Sequence, residues 1–144
     1  MVEVHLVVGV ALIVLNLAAF AVGGVAWLRD QSSVPFWYLL RAAQVAVFAQ
    51  ALLGGLLMFS GHESASDIHY LYGLLPLLVS FLAEGARAGA AERELGDLDF
   101  ESLPAADQQS LALAIVRREM GIMAVSCGVI LFLGLRAAAS SPAF

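Results

Sequence analysis

Two pentapeptides stand at the start of long apolar stretches: "HLVVG" at residues 5–9 and "HYLYG" at residues 69–73. An imidazole can donate, accept or bind a metal, so these are the residues best able to do chemistry. Positions i and i+4 of a helix share a face, which sets Gly9 beside His5 and Gly73 beside His69. Asn16 and Ser80 follow their histidines by eleven residues each, on the same faces. One stripe therefore reads His5, Gly9, Leu12 and Asn16, and the other His69, Gly73, Pro76, Ser80 and Glu84. Polar residues in an apolar helix turn toward the bundle interior, so the two stripes are expected to face each other. Two imidazoles at one level are what six-coordinate haem iron takes as axial ligands. Glycine a turn away would leave room for a flat porphyrin, and Gly54, Gly55, Gly128 and Gly134 could widen the space. Haem b is the expected cofactor, with His5 and His69 on the iron. The bland alternative has both imidazoles meeting water at an interface, with glycines that merely let helices pack closely.

Such residues need a scaffold, and the composition says which. Of 144 residues, 61% are hydrophobic and only 13% charged, and the mean hydropathy is +0.89. A soluble domain has about 45–50% apolar and about 25% charged residues. The surplus must face lipid, so the chain is expected to be an integral membrane protein. A crossing takes about 20 apolar residues in a helix. Four segments qualify, at about 4–28, 36–60, 68–87 and 107–138, the last with its membrane part from about 119. The expected fold is all-α, a single four-helix transmembrane bundle. The first segment lacks the basic leader and the cleavage site of a signal peptide, so it is expected to persist as a helix. Arg29, Arg41, Arg87, Arg93, Arg117 and Arg118 fall on one side and Arg136 alone on the other. That bias places both termini outside and the polar stretch between the last two helices in the cytoplasm, in a cytoplasmic membrane. This stretch, about 88–106, carries most of the acids. Pro104 with Asp107 reads as the start of the fourth helix, which an amphipathic "QQSLALAIVRRE" prolongs inward.

The stretch "QALLGGLLMFSGHESASDIHYLYGLLPLLVS", residues 50–80, resembles the Q-x-x-L-G turn and following helix of the haem A synthase family. There a glutamine and glycine precede a loop, and a histidine opens the next helix. Gln50, Gly54 and His69 stand at those positions. The chain has the length of one half of that family and lacks the E-x-x-x-H of its catalytic half. The resemblance thus implies a haem-binding module, not haem A synthesis. A four-helix bundle with paired histidines also resembles small membrane b-type cytochromes.

Other clusters have plainer readings. "GHESASDIH" gathers His62, Glu63, Asp67 and His69, ligand types suited to zinc or copper, but with the spacing of a solvated turn. Near the inner ends, Glu84 is expected to bridge to Arg117 or Arg118. Arg41 and Gln44 nearby could instead serve a headgroup or a quinone. Tyr70, Tyr72, Trp27, Trp37 and Tyr38 read as interfacial anchors, and Tyr72 could alternatively hydrogen-bond a haem propionate. Cys127, the lone cysteine, excludes an internal disulfide, and it reads with Ser126 as packing. No phosphate-cradling loop, catalytic triad or nucleic-acid patch is visible. Three functions stay open: a haem protein passing electrons with a quinone or a redox subunit; a non-catalytic structural or assembly subunit; and a small transporter or metal handler. Whether any reaction is catalysed stays undecided.

Overall fold

The computed structural model describes residues 1–62 and 66–140. The chain is all-α, with α1 (Val2–Leu28), α2 (Val34–Phe59), α3 (Asp67–Leu95) and α4 (Ala105–Ala139), plus a 3-10 turn at Phe100–Ser102. All four helices are long and apolar enough to cross a membrane. Their ends follow from local chemistry. Ser33 caps α2 by accepting from the Phe36 amide at 3.3 Å, and Ser66 caps α3 by accepting from Ile68 at 3.3 Å. Between α1 and α2, Asp30 adopts φ 55, a left-handed conformation that aspartate tolerates better than most residues. Its carboxylate accepts from Arg117 Nε of α4 at 2.7 Å.

α3 runs to Leu95 rather than ending near Arg87. Its last turns, "AGAAEREL", are rich in alanine, glutamate, arginine and leucine, the strongest helix formers, so helix outlasts the apolar run. It stops at Gly96, whose φ of 53 carries no Cβ penalty. The expected polar loop shrinks to residues 96–104. α4 begins after Pro104 and continues unbroken for 35 residues.

The helices form a square in which α4 packs along α3 and α1, and α1 packs along α2. α2 and α3 make the slackest side, while α1 and α3 face each other across the diagonal. Two cores fill the bundle. One, toward the α1–α2 turn, joins Ala19, Phe36, Leu40, Met120, Met123 and Cys127. The other, at mid-height, joins Leu12, Ala46, Val47 and Ile130. Close approach in the first depends on bare backbone. A Cβ on Gly23 would run into the ring of fully buried Phe36, and one on Gly121 would stand 2.8 Å from Trp27. Gly128 plays the same part against Phe20, 2.9 Å away. It is therefore packing space, not the pocket space expected of it. Outside, Val14, Phe48, Phe81, Leu82 and Phe132 remain exposed, so the exterior of the bundle is apolar on every helix.

Gly23→Ala is expected to lower the melting temperature in detergent, by the equivalent of about 1–3 kcal/mol for overpacking. Gly24→Ala is the control, since a Cβ there meets nothing within 4 Å. Equal melting of the two variants would contradict the Phe36 contact.

Candidate functional site

At the end of the bundle away from Phe36, the helices part around a cavity of about 440 Å³. That is within the roughly 300–1,000 Å³ of small-molecule sites. All four helices line it, through His5 and Gly9 of α1, Gln50 and Gly54 of α2, His69 and Gly73 of α3, and Gly134 and Ala137 of α4. His5 and His69 reach across the diagonal until their ring centroids are 6.2 Å apart, with ring planes at 59°. The structure thus brings together all six residues singled out from the sequence: His5, His69, Gly9, Gly73, Gln50 and Gly54.

Each imidazole is held from behind. His69 Nδ1 lies 3.0 Å from the carbonyl of Ala137 in the last turn of α4, which also accepts from the Ser140 amide at 3.2 Å and the Ser140 hydroxyl at 2.8 Å. A carbonyl only accepts, so the proton sits on Nδ1 and Nε2 keeps its lone pair. This is the arrangement that orients a metal-binding histidine. Nothing in the side-chain pattern announces Ala137, because the contact is made by backbone. His5 Nε2 lies 3.1 Å from Gln50 Nε2. The opposite ring nitrogen, Nδ1, and the Gln50 oxygen Oε1 are both buried without a partner. A buried polar atom left unpaired costs about 1–3 kcal/mol, so the His5–Gln50 contact is a point of local cost in the bundle.

The glycines divide into two kinds. A Cβ on Gly9 would stand 3.0 Å from Gln50 Nε2, and one on Gly54 would stand 3.3 Å from His5 Cε1. These two make room for the His5–Gln50 pair, and both also line the cavity. Gly55 and Gly73 have nothing within 4 Å of a Cβ position, and both border the cavity. Pro76, within α3, has no amide for the Tyr72 carbonyl, so the helix wall is irregular beside Gly73.

Two imidazoles on one ion, each about 2.0–2.1 Å from it, would bring their ring centroids to roughly 6 Å, and the observed separation is 6.2 Å. Tyr72, a cavity residue, lies under the Arg136 guanidinium at 5.6 Å.

The opposite end carries a charge network that differs from the expected one. Glu84 pairs neither with Arg117 nor with Arg118. Its Oε1 accepts from Arg41 at 2.5 Å and Gln44 at 2.7 Å, and its Oε2 from Arg87 at 2.8 Å. Arg87 also reaches Glu119 at 3.6 Å. Arg118 instead pairs with Glu94, and Arg117 with Asp30. The reason is proximity: Arg87 is one turn along α3 and Arg41 lies on adjacent α2. Ser126 donates to the Met123 carbonyl at 2.7 Å, and Cys127 is buried and free.

Of the outer polar turn, His62 is exposed at the cavity rim, while Glu63 lies outside the described residues. Among the described residues, no three His, Cys, Asp or Glu side chains gather as a metal cluster. Comparisons with protein-family models, curated proteins and solved structures find no match to this chain.

Gly9→Ala is expected to displace Gln50 and destabilise the fold by about 1–3 kcal/mol, whereas Gly73→Ala leaves melting unchanged. Equal effects would remove the distinction between the two glycines. Glu84→Ala strips three donors of their shared acceptor, and the melting temperature in detergent should fall by the equivalent of about 1–3 kcal/mol. A melting temperature that stays put would mean that the network adds no stability.

Proposed function

We propose that this chain is a multi-pass protein of the cytoplasmic membrane, with both termini outside, that binds haem b between His5 and His69. Its role is electron transfer, alone or as an accessory of a larger redox complex, with a quinone or a redox subunit as the exchange partner. The observation that carries this reading is the diagonal histidine pair, 6.2 Å apart over an apolar cavity, with the His69 tautomer set by Ala137. When bound, haem supplies one-electron exchange at its iron. The protein's own part is to hold and orient. Ala137 fixes the His69 ring, Gln50 fixes the His5 ring, and Leu12, Leu57 and Pro76 keep water from the cavity floor. Arg136, over the ring of the cavity residue Tyr72, suits the carboxylates of a haem edge.

A second reading is a non-catalytic structural or assembly subunit. The α3–α4 hairpin favours it, with Asp97, Asp99 and Glu101 exposed beside Leu98, itself 56% exposed. Such a tip offers a partner both charge and apolar area.

The deciding experiment is the dithionite-reduced minus air-oxidised visible spectrum of the full chain, purified from a haem-competent host. A sharp alpha band and a shifted Soret peak are expected. Either His5→Ala or His69→Ala should abolish both while helical circular dichroism persists. A flat trace from folded protein supplied with haem, or a full spectrum in the double variant, would sink the haem reading and leave the structural subunit in front.

A further inference from the structure

We infer that the cavity opens sideways between α2 and α3, so that it takes a ligand dissolved in the bilayer rather than one dissolved in water. That the ligand is haem rests on the haem reading; the opening itself rests only on the chain spanning a membrane.

Three sides of the square are closed near the histidines. Between α1 and α2, the His5 ring meets the Gln50 amide at 3.1 Å, and Gly54 leaves 3.3 Å between a Cβ position and His5 Cε1. Between α3 and α4, His69 Nδ1 meets the Ala137 carbonyl at 3.0 Å. Between α1 and α4, a Cβ on Gly134 would stand 3.1 Å from Leu12 and 3.3 Å from Ile13. The fourth side has no such closure. α2 and α3 are the slackest neighbours. Gly55 and Gly73, one on each, border the cavity with nothing within 4 Å of a Cβ position. Beside them, Met58 and Leu74 line the cavity and are still 56% and 59% exposed. A side chain that belongs both to a cavity wall and to the outer surface marks a mouth.

The rim of this mouth is apolar. Gly73 lies six residues after Asp67, about 9 Å along the helix from its polar start. Leu52 and Leu56 of α2 and Leu71 and Leu78 of α3 are exposed around it. Water gains nothing at such a rim, whereas an apolar solute already in lipid loses no favourable surroundings by crossing it. The gap does not run the length of the pair. Eleven residues beyond each glycine, Gln44 of α2 and Arg41 donate to Glu84 of α3 at 2.7 and 2.5 Å. That clasp, roughly 16 Å from the glycines, holds one end of the pair while the other stands apart. The ligand chemistry this selects is an amphiphile that partitions into lipid, with an apolar body for the glycine-bare walls and a polar group for His69.

The test places a nitroxide on the full chain in liposomes, at Gly73→Cys or Gly55→Cys, with Cys127→Ser removing the native thiol. Leu71→Cys, exposed two residues away, is the lipid-facing reference at the same level. Collisions are read with oxygen, which concentrates in hydrocarbon, and with a nickel chelate, which stays in water. Both cavity positions should match the reference, with oxygen dominating. Nickel collisions severalfold above the reference would mean a mouth open to water. Few collisions with either reagent would mean a closed cavity, and each of these results overturns the inference. Nickel dominating at Leu71→Cys would overturn it together with the membrane reading. For haem, Met58→Trp and Leu74→Trp add bulk at the mouth and none at His69. They should slow uptake from haem-loaded liposomes severalfold and leave the final alpha band at full height. Unchanged rates in both would overturn loading through this side. If wild type takes up no haem, the haem reading fails, and the collision data alone decide the opening.

Discussion

Phe36 seated on Gly23 is the contact on which the shape of the bundle depends. A fully buried phenyl ring occupies space that a single methyl group on α1 would deny it. Together with Trp27 over Gly121 and Phe20 over Gly128, it ties α1 closely to α2 and α4. Knob-and-hollow packing of this kind gains from the many close contacts made by each ring. The bundle is thus tight at one end. Toward the other, small residues continue, but no aromatic ring fills the hollows at Gly55 and Gly73. A cavity opens there for that reason.

Polar atoms follow the same division. Below the cavity, the buried polar side chains are satisfied by backbone on their own helices. Asn16 donates to the Leu12 carbonyl at 2.9 Å, and Ser126 to that of Met123. Neither asks anything of a neighbouring helix. At the charged end, Glu84 draws three donors from two helices and is saturated. Among the described residues, the buried side-chain atoms without partners are His5 Nδ1 and Gln50 Oε1, where α1 meets α2 beside the cavity.

Much of this could be read from the sequence, for definite reasons. Four apolar runs, bounded by Ser33, Pro35, Ser66 and Pro104, required four helices. His5 and His69 stand close to the starts of their helices, three residues after Val2 and two after Asp67, which brings them to nearly one level. The inner reach of α3 was harder, because "ARAGAAEREL" is too polar for a hydropathy argument while remaining excellent helix. The Glu84–Arg87 contact is legible as an i,i+3 pair, though the arginines of α4 offer rival partners at the same level. Arg41 was not legible, since spacing alone does not say which helices are neighbours. The purpose of Gly9 was hidden too, for its partner, Gln50, lies on another helix. Ala137 leaves no trace at all, since any residue has a carbonyl.

One further consequence comes from the length of α4. Its 35 residues make a rod of roughly 50 Å, well beyond the ~30 Å of a hydrocarbon layer. The same rod carries Asp107 in its first turn and Ala137 in its last, without a proline between them. Arg117 and Arg118 clamp its middle to Asp30 and Glu94. The clamped rod therefore holds the Ala137 carbonyl, and with it the His69 ring, at a fixed place relative to the α1–α2 turn and to α3.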